Sequence, residues 1–385
     1  MSPDGDSTSL SFPKHVSDEG RISGGTKIIH VVDNIEPGGA QHILIALASA
    51  DPDAVICALH AKPGENYLTR AVDRVEVLAS GRLSVVAILW RLTRLVLRNR
   101  ANAIFNAHLE ASTIFLCLLR RAIGFRLIVT VHATQAQWPG WFRAVFRRVI
   151  FYADHVIADS HRVYKETHAL GIPADRLTVI PIGTLRLPKP AGLPASDIRS
   201  EFGIEPGVPV FLNIARMVPG KGQIDLVRAM TEVPEAVAVI VGFGPEEGRL
   251  RDEVRKLGLG KRVIFAGMRT DLDGFYAAAS AFVMPCLDES MGIVIYDALT
   301  FQVPVIAYES GGIGEIVADG RNGYLLQRDP HALAEGLRRI LRNETTFEFR
   351  PPIEYSAATM VERHRALCDG LARKWFGNAS RENET

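Results

Sequence analysis

Cysteine is scarce in this chain of 385 residues. The four cysteines, Cys57, Cys117, Cys286 and Cys368, are widely separated, and no two of them form a CxxC pair. Disulfide-stapled folds and cysteine-based zinc sites need closely spaced cysteines in recognisable patterns. The pattern therefore argues against both, and it favours a reducing, cytoplasmic setting.

Long apolar runs are also missing. A membrane-spanning helix needs about 18 to 20 consecutive apolar residues, and arginines interrupt the nearest candidate, residues 83–97. Residues 1–26 are polar and lack the apolar core of a signal peptide, so we predict a flexible tail there. We predict disorder for the last residues, 377–385, as well.

Charge of one sign is not in excess over the whole chain. The formal net charge is +1, and hydrophobic residues make up 47% and charged residues 23% of the sequence. These values are typical of a globular protein, and the net charge does not indicate a polyanionic partner. The length fits two domains of about 150 to 200 residues each.

Short apolar runs alternate with helix-like segments in both halves of the chain. Such alternation predicts α/β domains with parallel sheets covered on both faces. The stretch 181–194 is rich in proline and glycine and reads as a linker. We predict two doubly wound, Rossmann-like domains facing a central cleft, at 27–185 and 195–355. The predicted strands are 27–33, 55–59, 103–107, 127–131, 208–214, 236–241, 263–266, 281–284 and 303–307.

A glycine pair follows the first predicted strand, at Gly38 and Gly39. Glycine lets a backbone pass close to a ligand, and the N-terminus of the following helix favours an anion. An ordinary strand-to-helix turn explains the same residues equally well, so this motif alone decides nothing.

Two cations lie at the carboxyl end of the first strand in the second half. Arg216 and Lys221 belong to the short loop RMVPGKG. An arginine that binds two oxygens and a lysine point charge suit a diphosphate that gains charge as its bond to a sugar breaks. The alternative is that both are solvated surface cations, but their place at a strand end favours a functional role.

Two carboxylates, Glu289 and Asp297, flank a turn that opens an apolar helix near Gly292 and Ile293. The helix N-terminus offers free N–H groups to a phosphate. Glu289 is placed to bind sugar hydroxyls, and Asp297 to hold a ribose diol. The alternative is that Glu289 caps the helix and Asp297 is a surface acid.

Together these motifs resemble glycosyltransferase family 4, whose members are retaining enzymes of the GT-B fold. Further blocks that resemble the family appear in its order, and the resemblance covers roughly 27–343. They are GGAQ at 38–41, VTVHATQ around His132, ADHVIADS at 153–160, GIPADRLTVIPIG at 171–183 and GGIGEIVADGRNGYLL at 311–326.

The resemblance implies roles for individual residues. Arg216 and Lys221 would neutralise the diphosphate of a UDP-, GDP- or ADP-sugar, and Glu289 would contact the donor sugar. Asp297 would hold the ribose, and His132 would lie beside the reacting sugar. Backbone amides near Gly39 and Gly292 would approach phosphate or sugar. It also implies domain closure about the linker, and C-terminal helices, 356–376, that cross back to the first domain.

The sequence departs from the family pattern in two places. Asp297 stands where the family usually has Glu, which predicts a looser ribose contact. Residues 181–184 read PIGT and lack the family's Asn and Asp near the linker. The first departure is the only support for an alternative, an inactive relative that binds nucleotide-sugars as a scaffold. The presence of Arg216, Lys221, Glu289 and His132 argues against it. A phosphorylase or sugar-nucleotide epimerase of this fold is a further alternative, but no matching lysine motif for the cofactor of a phosphorylase is visible.

Two other motifs are poor evidence for function. The loop VGFGP at 241–245 is an incomplete dinucleotide motif with proline where a helix should begin. Asp271-Leu272-Asp273 matches a DxD metal triplet, but it precedes a helix-like stretch, so we predict N-terminal capping instead. We expect no required metal and no bound cofactor.

Positive charge concentrates between residues 82 and 148, where one acid, Glu110, accompanies eleven arginines and no lysine, giving +10. With Trp138, Trp141 and Phe142, these arginines predict contact with an anionic membrane surface. A solvated basic face is the alternative, and no nucleic-acid module is recognisable. The arginines are Arg82, Arg91, Arg94, Arg98, Arg100, Arg120, Arg121, Arg126, Arg143, Arg147 and Arg148.

The acceptor is the least defined part of the prediction. The resemblance and the basic window together favour a lipid-linked or surface glycan, as in lipopolysaccharide or polysaccharide biosynthesis, with the protein peripheral on the inner face of the cytoplasmic membrane. His108 and Glu110 follow a strand of the first half and are candidates for acceptor contact, although structural roles fit them equally well.

Overall fold

The computed structural model describes residues 27–36, 38–51, 53–62, 67–80, 85–132, 140–184, 198–287, 289–349 and 356–376. The predicted tails at 1–26 and 377–385 lie outside this set. So do the predicted domain boundaries at 185, 195 and 355, together with Arg82 and Trp138.

The first half folds around a seven-stranded parallel sheet with strand order β3-β2-β1-β4-β5-β6-β7. Its strands are β1 (Lys27–Val32), β2 (Val55–Ala58), β3 (Val75–Val77), β4 (Ala103–His108), β5 (Arg126–Val131), β6 (His155–Ala158) and β7 (Leu177–Val179). Its helices are α1 (Gly39–Ala50), α2 (Tyr67–Ala71), α3 (Val85–Asn99), α4 (Glu110–Ile123), α5 (Gly140–Val149) and α6 (His161–His168).

The second half folds around a six-stranded parallel sheet with strand order β10-β9-β8-β11-β12-β13. The strands are β8 (Val210–Ile214), β9 (Val237–Val241), β10 (Val263–Gly267), β11 (Ala281–Met284), β12 (Val305–Tyr308) and β13 (Gly323–Leu326). The helices are α7 (Ile198–Phe202), α8 (Gln223–Ala229), α9 (Glu247–Lys256), α10 (Asp273–Ala278), α11 (Ile293–Thr300) and α12 (Pro330–Leu341), and α13 (Ala357–Phe376) ends the described chain.

The predicted fold class is confirmed: both sheets are parallel, and helices alternate with strands. Central strands such as β9 are buried at every residue, as strands covered on both faces must be, and this is why they read as continuous apolar runs. The strands that the apolar runs did not predict are short or irregular. For example, β3 carries an exposed glutamate, and β13 begins with glycine.

The chain crosses between the two halves twice at one place. Thr184 forms an isolated parallel bridge with Ser356, and the Ala357 N–H donates to the Thr184 carbonyl oxygen at 3.2 Å. Beyond this crossing, α13 is one helix that lies against α1, and Arg365 donates to the Ala50 carbonyl at 2.5 Å. The last helix is therefore held by the first half.

Helices α3, α4 and α5 form a continuous layer on the first half, with α4 in contact with both of the others. This layer exposes large apolar side chains, including Val86 at 75% and Trp141 at 71%. Within the described residues, no helix is long and apolar enough to cross a membrane.

Candidate active site

In each sheet the strand order reverses between two neighbouring strands, at β1/β4 in the first half and at β8/β11 in the second. Loops leave such a pair in opposite directions, so a crevice opens at their carboxyl ends, where ligands of α/β proteins bind. The predicted site residues follow these strands: Arg216 and Lys221 come after β8, and Glu289 comes after β11.

The structure brings Lys221 and Glu289 together. The Lys221 Nζ donates to Glu289 Oε2 at 2.6 Å, and both side chains are largely buried. Burial alone lowers the pKa of the Lys221 ammonium, whereas the negative charge of Glu289 and their hydrogen bond raise it, and the pKa lies above its ordinary value. Lys221 is therefore a permanent cation, as neutralising a diphosphate requires.

Arg216 lies on the same loop as Lys221, and the repulsion between the two cations opposes the rise in the Lys221 pKa. The guanidinium of Arg216 is exposed, and its backbone is held because Gln223 Nε2 donates to the Arg216 carbonyl at 3.1 Å. No salt bridge in the described part of the chain involves Arg216. The end of β8 thus carries two cations: Lys221, which is paired with Glu289, and Arg216, which is exposed.

The loop that carries Glu289 is fixed by its neighbour after β12. The Gly312 N–H donates to the Glu289 carbonyl oxygen at 2.8 Å. At Gly311, φ is +55°, and a Cβ atom would overlap that same carbonyl oxygen. Because any side chain would push the two loops apart, this glycine sets the position of Glu289.

Helix α11 follows this loop with Gly292 as its N-cap and Ile293 as its first residue, and no side chain caps it. The alternative that Glu289 caps the helix is therefore wrong, since its carboxylate binds Lys221 instead. The uncapped N–H groups of α11 lie beside the Lys221–Glu289 pair, where they can attract an anion.

Asp297 is not a surface acid, because it is only 4% exposed. The Thr184 hydroxyl donates to Asp297 Oδ1, and Thr184 lies where the chain crosses between the two halves. The PIGT stretch lacks the family's Asn and Asp, which put the contacts near the linker in doubt, and here the Thr184 hydroxyl supplies a polar contact. The ribose-binding role of Asp297 stays a prediction.

His132 follows β5, and the structure joins it to the second half. Ser290 Oγ donates to the His132 carbonyl oxygen at 2.9 Å, which places His132 beside the residue that follows Glu289. The imidazole is 7% exposed and forms a hydrogen bond to His108 at 2.9 Å. His108 is fully buried, so in this conformation its side chain does not face an acceptor.

Gly38 and Gly39 open helix α1, which has no capping side chain and no acid in its first turn. A Cβ atom at Gly38 would meet Gln41 Oε1 at 2.7 Å, and one at Gly39 would meet nothing within 4 Å. Among the described residues, Gly38 contacts Gln41 and His42 of α1, so the structure does not join these glycines to the Lys221–Glu289 pair.

The two motifs set aside earlier prove to be structural. Cβ atoms at Gly242 and Gly244 would overlap the backbone of Ala215 and Met217, so this glycine loop supports the loop of Arg216. Asp271 pairs with Arg269 at 2.6 Å, and the N-cap of α10 is Leu272 without a side-chain cap. The capping prediction was thus wrong in its details.

Sequence reasoning missed three residues that contact the predicted site: Thr184, Ser290 and Asp159. Asp159 directly follows β6, the neighbour of β5 in the sheet, and it lies 3.7 Å from His132 Nδ1. The rule that neighbouring strand ends share one edge could have found it.

Two family models match the chain in succession. Residues 38–184 match glycosyltransferase family 4, and residues 195–358 match glycosyl transferases group 1. The second matched segment contains the whole six-stranded sheet, and the first contains the seven-stranded sheet except for β1.

Known proteins support the same assignment. The chain is 30% identical over 269 residues to the GDP-mannose-dependent alpha-(1-6)-phosphatidylinositol monomannoside mannosyltransferase of Mycolicibacterium smegmatis, a match that covers 65% of this chain and 68% of that protein. It is 29% identical over 238 residues to N-acetyl-alpha-D-glucosaminyl L-malate synthase of Bacillus anthracis, covering 59% of this chain and 62% of that protein.

Among solved structures, Anabaena HepE in complex with UDP and glucose is similar with a TM-score of 0.79 at 21% identity, covering 89% of this chain and 99% of that one. That likeness shows the shared fold. With the family models and the mycobacterial relative, it leads to one assignment: the chain belongs to glycosyltransferase family 4 and is a glycosyltransferase of the GT-B fold.

Proposed function

We propose that the protein transfers a sugar, with retention of configuration, from a nucleoside-diphosphate sugar to a lipid-linked or surface glycan at an anionic membrane. The observation that carries this proposal is the buried Lys221–Glu289 pair, 2.6 Å apart, at the reversal point of the second sheet. Arg216 and the N-terminus of α11 stand beside it.

This arrangement suits the departure of a diphosphate. The transition state of glycosyl transfer has oxocarbenium character, and negative charge grows on the leaving phosphate. Lys221, Arg216 and the amides at Gly292 and Ile293 are preorganised to stabilise that charge. Glu289 pairs with Lys221 in the described conformation and would turn to the sugar hydroxyls when the diphosphate takes over the lysine.

Retention places the acceptor on the face from which the diphosphate leaves. The departing phosphate is then available as the base for the acceptor hydroxyl, and no metal or cofactor takes part in the proposed reaction. The contact of Ser290 with the His132 carbonyl joins the two halves, which supports a closed cleft that excludes water from the reacting sugar.

The donor is tested by measuring nucleoside-diphosphate release from UDP-, GDP- and ADP-sugars, and by NMR of the anomeric configuration of the product. GDP-mannose is the donor in the name of the mycobacterial relative, and UDP is bound in the Anabaena structure. We expect one nucleotide class to react with retention. Binding of a nucleoside diphosphate without turnover of any sugar would favour the scaffold alternative, and an inverted product would contradict the mechanism.

The acceptor side is inferred from the surface of α3, α4 and α5. Trp90 is exposed on α3 with the Arg94 guanidinium 4.6 Å from its ring centroid, and Trp141 is exposed on α5. Arg98, Arg147 and Arg148 are exposed on the same layer. Aromatic side chains surrounded by cations suit the headgroup region of an anionic bilayer.

Relatives alone do not choose the acceptor, since the mycobacterial protein is named for a phosphatidylinositol monomannoside and the Bacillus protein for malate. The basic, apolar layer therefore carries this part of the proposal, and it favours lipid-linked acceptors of lipopolysaccharide or polysaccharide biosynthesis. The protein would then act as a peripheral protein on the cytoplasmic face of the membrane.

Flotation with phosphatidylcholine vesicles, with and without phosphatidylglycerol, tests this surface. We expect binding only to the anionic vesicles, and we expect Arg98→Glu with Arg148→Glu to abolish it. The matched control carries Lys256→Glu with Lys261→Glu, an equal charge change at exposed positions of the second half. Equal loss of binding in both variants, or equal binding to an RNA duplex, would contradict a specific membrane face.

A further inference from the structure

Buried imidazoles form a chain behind the proposed active site. His132 Nε2 lies 2.9 Å from His108 Nδ1, and His108 Nε2 lies 3.1 Å from His30 Nδ1. The His30 ring in turn contacts that of His364 on α13, with centroids 5.6 Å apart. Three neighbouring strands, β1, β4 and β5, thus supply one continuous path of ring nitrogens.

Asp159 stands at the active-site end of this chain. It is 1% exposed, and neither carboxylate oxygen has a hydrogen-bond partner among the described residues. The Nδ1 of His132, which is likewise unpartnered, lies 3.7 Å from Asp159 Oδ2. A buried carboxylate without partners costs on the order of several kcal/mol, so its presence calls for an explanation. Here it faces an imidazole just beyond hydrogen-bond distance.

The protons along the chain can be counted. Each nitrogen–nitrogen hydrogen bond holds one proton, and a neutral imidazole carries one proton in total. With an ionised Asp159, His132 carries its proton on Nδ1 towards the carboxylate, so its Nε2 accepts from His108 Nδ1–H. His108 Nε2 then accepts from His30 Nδ1–H. All three rings adopt the same tautomer, and one carboxylate sets the direction of every bond.

We propose that Asp159 is a positioning residue that fixes the tautomer and orientation of His132 through its Nδ1, while His108 and His30 hold the Nε2 side. The assignment rests on the proposed function, because it gives His132 a fixed ring beside the reacting sugar. The role of the carboxylate is comparable to that of the aspartate in a serine protease triad, which orients a histidine without itself reacting.

The surroundings of Asp159 connect it to the donor site. Burial raises the pKa of Asp159, the nearby side chains of His132 and Ser160 lower it, and the negative charge of Glu289 raises it again. Glu289 is in turn paired with Lys221. On the other side, burial and the neighbouring imidazoles His132, His30 and His364 hold the pKa of His108 far below its ordinary value, so this ring stays neutral.

The imidazole chain ends at the cleft, at His132, and a cluster with a purely structural role would not need to reach that place. Ser290, the residue after Glu289, donates to the carbonyl of His132, so a shift of the His132 backbone reaches the donor loop directly. A misplacement of about 1 Å near reacting atoms can cost on the order of 100-fold in rate. Loss of the carboxylate should therefore reduce kcat more than it changes the KM for the donor.

Nitrogen NMR of the full-length protein tests the proposal without any donor. Long-range 1H–15N spectra distinguish the two neutral tautomers of histidine. We expect His132, His108 and His30 to be Nδ1–H tautomers in the wild type. In Asp159→Leu we expect His132 to populate both the Nδ1–H and the Nε2–H tautomer. The control Asp73→Asn changes an exposed acid of the same half and should leave all three rings unaltered.

Kinetics provide the second measurement. We expect Asp159→Asn and Asp159→Leu to lower kcat by about 10- to 100-fold, with the donor KM changed less than about threefold, and Asp73→Asn to match the wild type. An Nε2–H tautomer of His132 in the wild type, or unchanged tautomers and kcat in Asp159→Leu, would overturn the proposal. Absence of turnover in the wild type would instead count against the proposed function, because the tautomer result stands without it.

Discussion

The cleft-facing edges of the two halves of this protein are formed by different kinds of side chain. In the second half, backbone segments touch at glycines, and fixed charges such as Lys221 and Glu289 are held on the loops that meet there. In the first half, the same edge is lined by imidazoles and by one unpartnered carboxylate. The second half is thus preorganised for a ligand of constant charge, whereas the first half holds buried, neutral imidazoles that can orient one another.

The surfaces of the two halves differ in how many of their arginines form salt bridges. Arginines of the second half are commonly paired, as in Arg228–Glu253 at 2.8 Å and Arg251–Glu247 at 2.8 Å. Within the described part of the first half, no salt bridge involves Arg98, Arg147 or Arg148, whereas Arg120 pairs with Asp154. The net charge of the chain is small, but the two halves differ. Arginines of the second half are largely neutralised by acids, whereas exposed arginines of the first half are available to an anionic partner.

The largest effect on stability and turnover should follow from breaking the backbone contact between Gly311 and the Glu289 carbonyl in the second half. Gly311→Ala places a Cβ atom against the Glu289 carbonyl at a φ of +55°. The left-handed conformation and the overlap together should lower the free energy of unfolding by about 2 to 5 kcal/mol. Donor turnover should fall with it, because Glu289 moves away from Lys221.

Gly258→Ala is the matched control for this substitution. Its φ is +68°, but a Cβ atom there meets nothing within 4 Å. The cost should be limited to about 1 to 2 kcal/mol from the backbone conformation, with turnover unchanged. Equal thermal destabilisation in both variants would show that the loop contact does not position Glu289.

A pH-dependent effect of intermediate size should follow in the first half. Burial lowers the pKa of His364 from 6.5 to about 4. Between these values the unfolded chain binds a proton that the folded protein does not, so acid favours unfolding. From pH 6.5 down to 4, the wild type should lose about 3 kcal/mol relative to His364→Asn.

Chemical denaturation of both proteins across this pH range measures the difference. The control His161→Asn removes an exposed imidazole from the start of α6, and its stability relative to the wild type should vary far less with pH. A constant gap between the wild type and His364→Asn would contradict a buried neutral imidazole on α13.

The smallest effect should come from the paired charges on the surface of the second half. Arg228→Ala removes a salt bridge whose arginine is 50% exposed, and exposed pairs contribute at most about 1 kcal/mol. Thermal unfolding should change by a few degrees at most, and anionic vesicle binding should stay as in the wild type. A loss of vesicle binding would remove the distinction between the two surfaces.

The sequence predicted the sheets and the donor loops because these depend on local pattern. Strands such as β9 are apolar throughout, and Arg216, Lys221 and Glu289 follow neighbouring strands of one sheet. Chain order along the sequence and the strand-end rule were therefore enough to bring these three side chains to one edge. The fold class and this part of the candidate site needed no knowledge of distant contacts.

The remaining contacts depend on tertiary structure that no local pattern encodes. The imidazole chain needs the spatial order of β1, β4 and β5 together with the placement of α13, whose His364 is distant from His30 in sequence. The contact between Thr184 and Asp297 needs the crossing of two chain segments between the halves. In both cases the sequence named some of the residues, such as His132 and Asp297, but not the partners that they contact.

The most direct test of the central claim is a thermal-shift screen of the protein with UDP, GDP, ADP and CMP, run beside Lys221→Ala and the exposed control Lys256→Ala. We predict that one nucleoside diphosphate raises the Tm of the wild type and of Lys256→Ala but leaves that of Lys221→Ala unchanged. Stabilisation that persists in Lys221→Ala, or none with any nucleotide, would contradict a donor site at the Lys221–Glu289 pair.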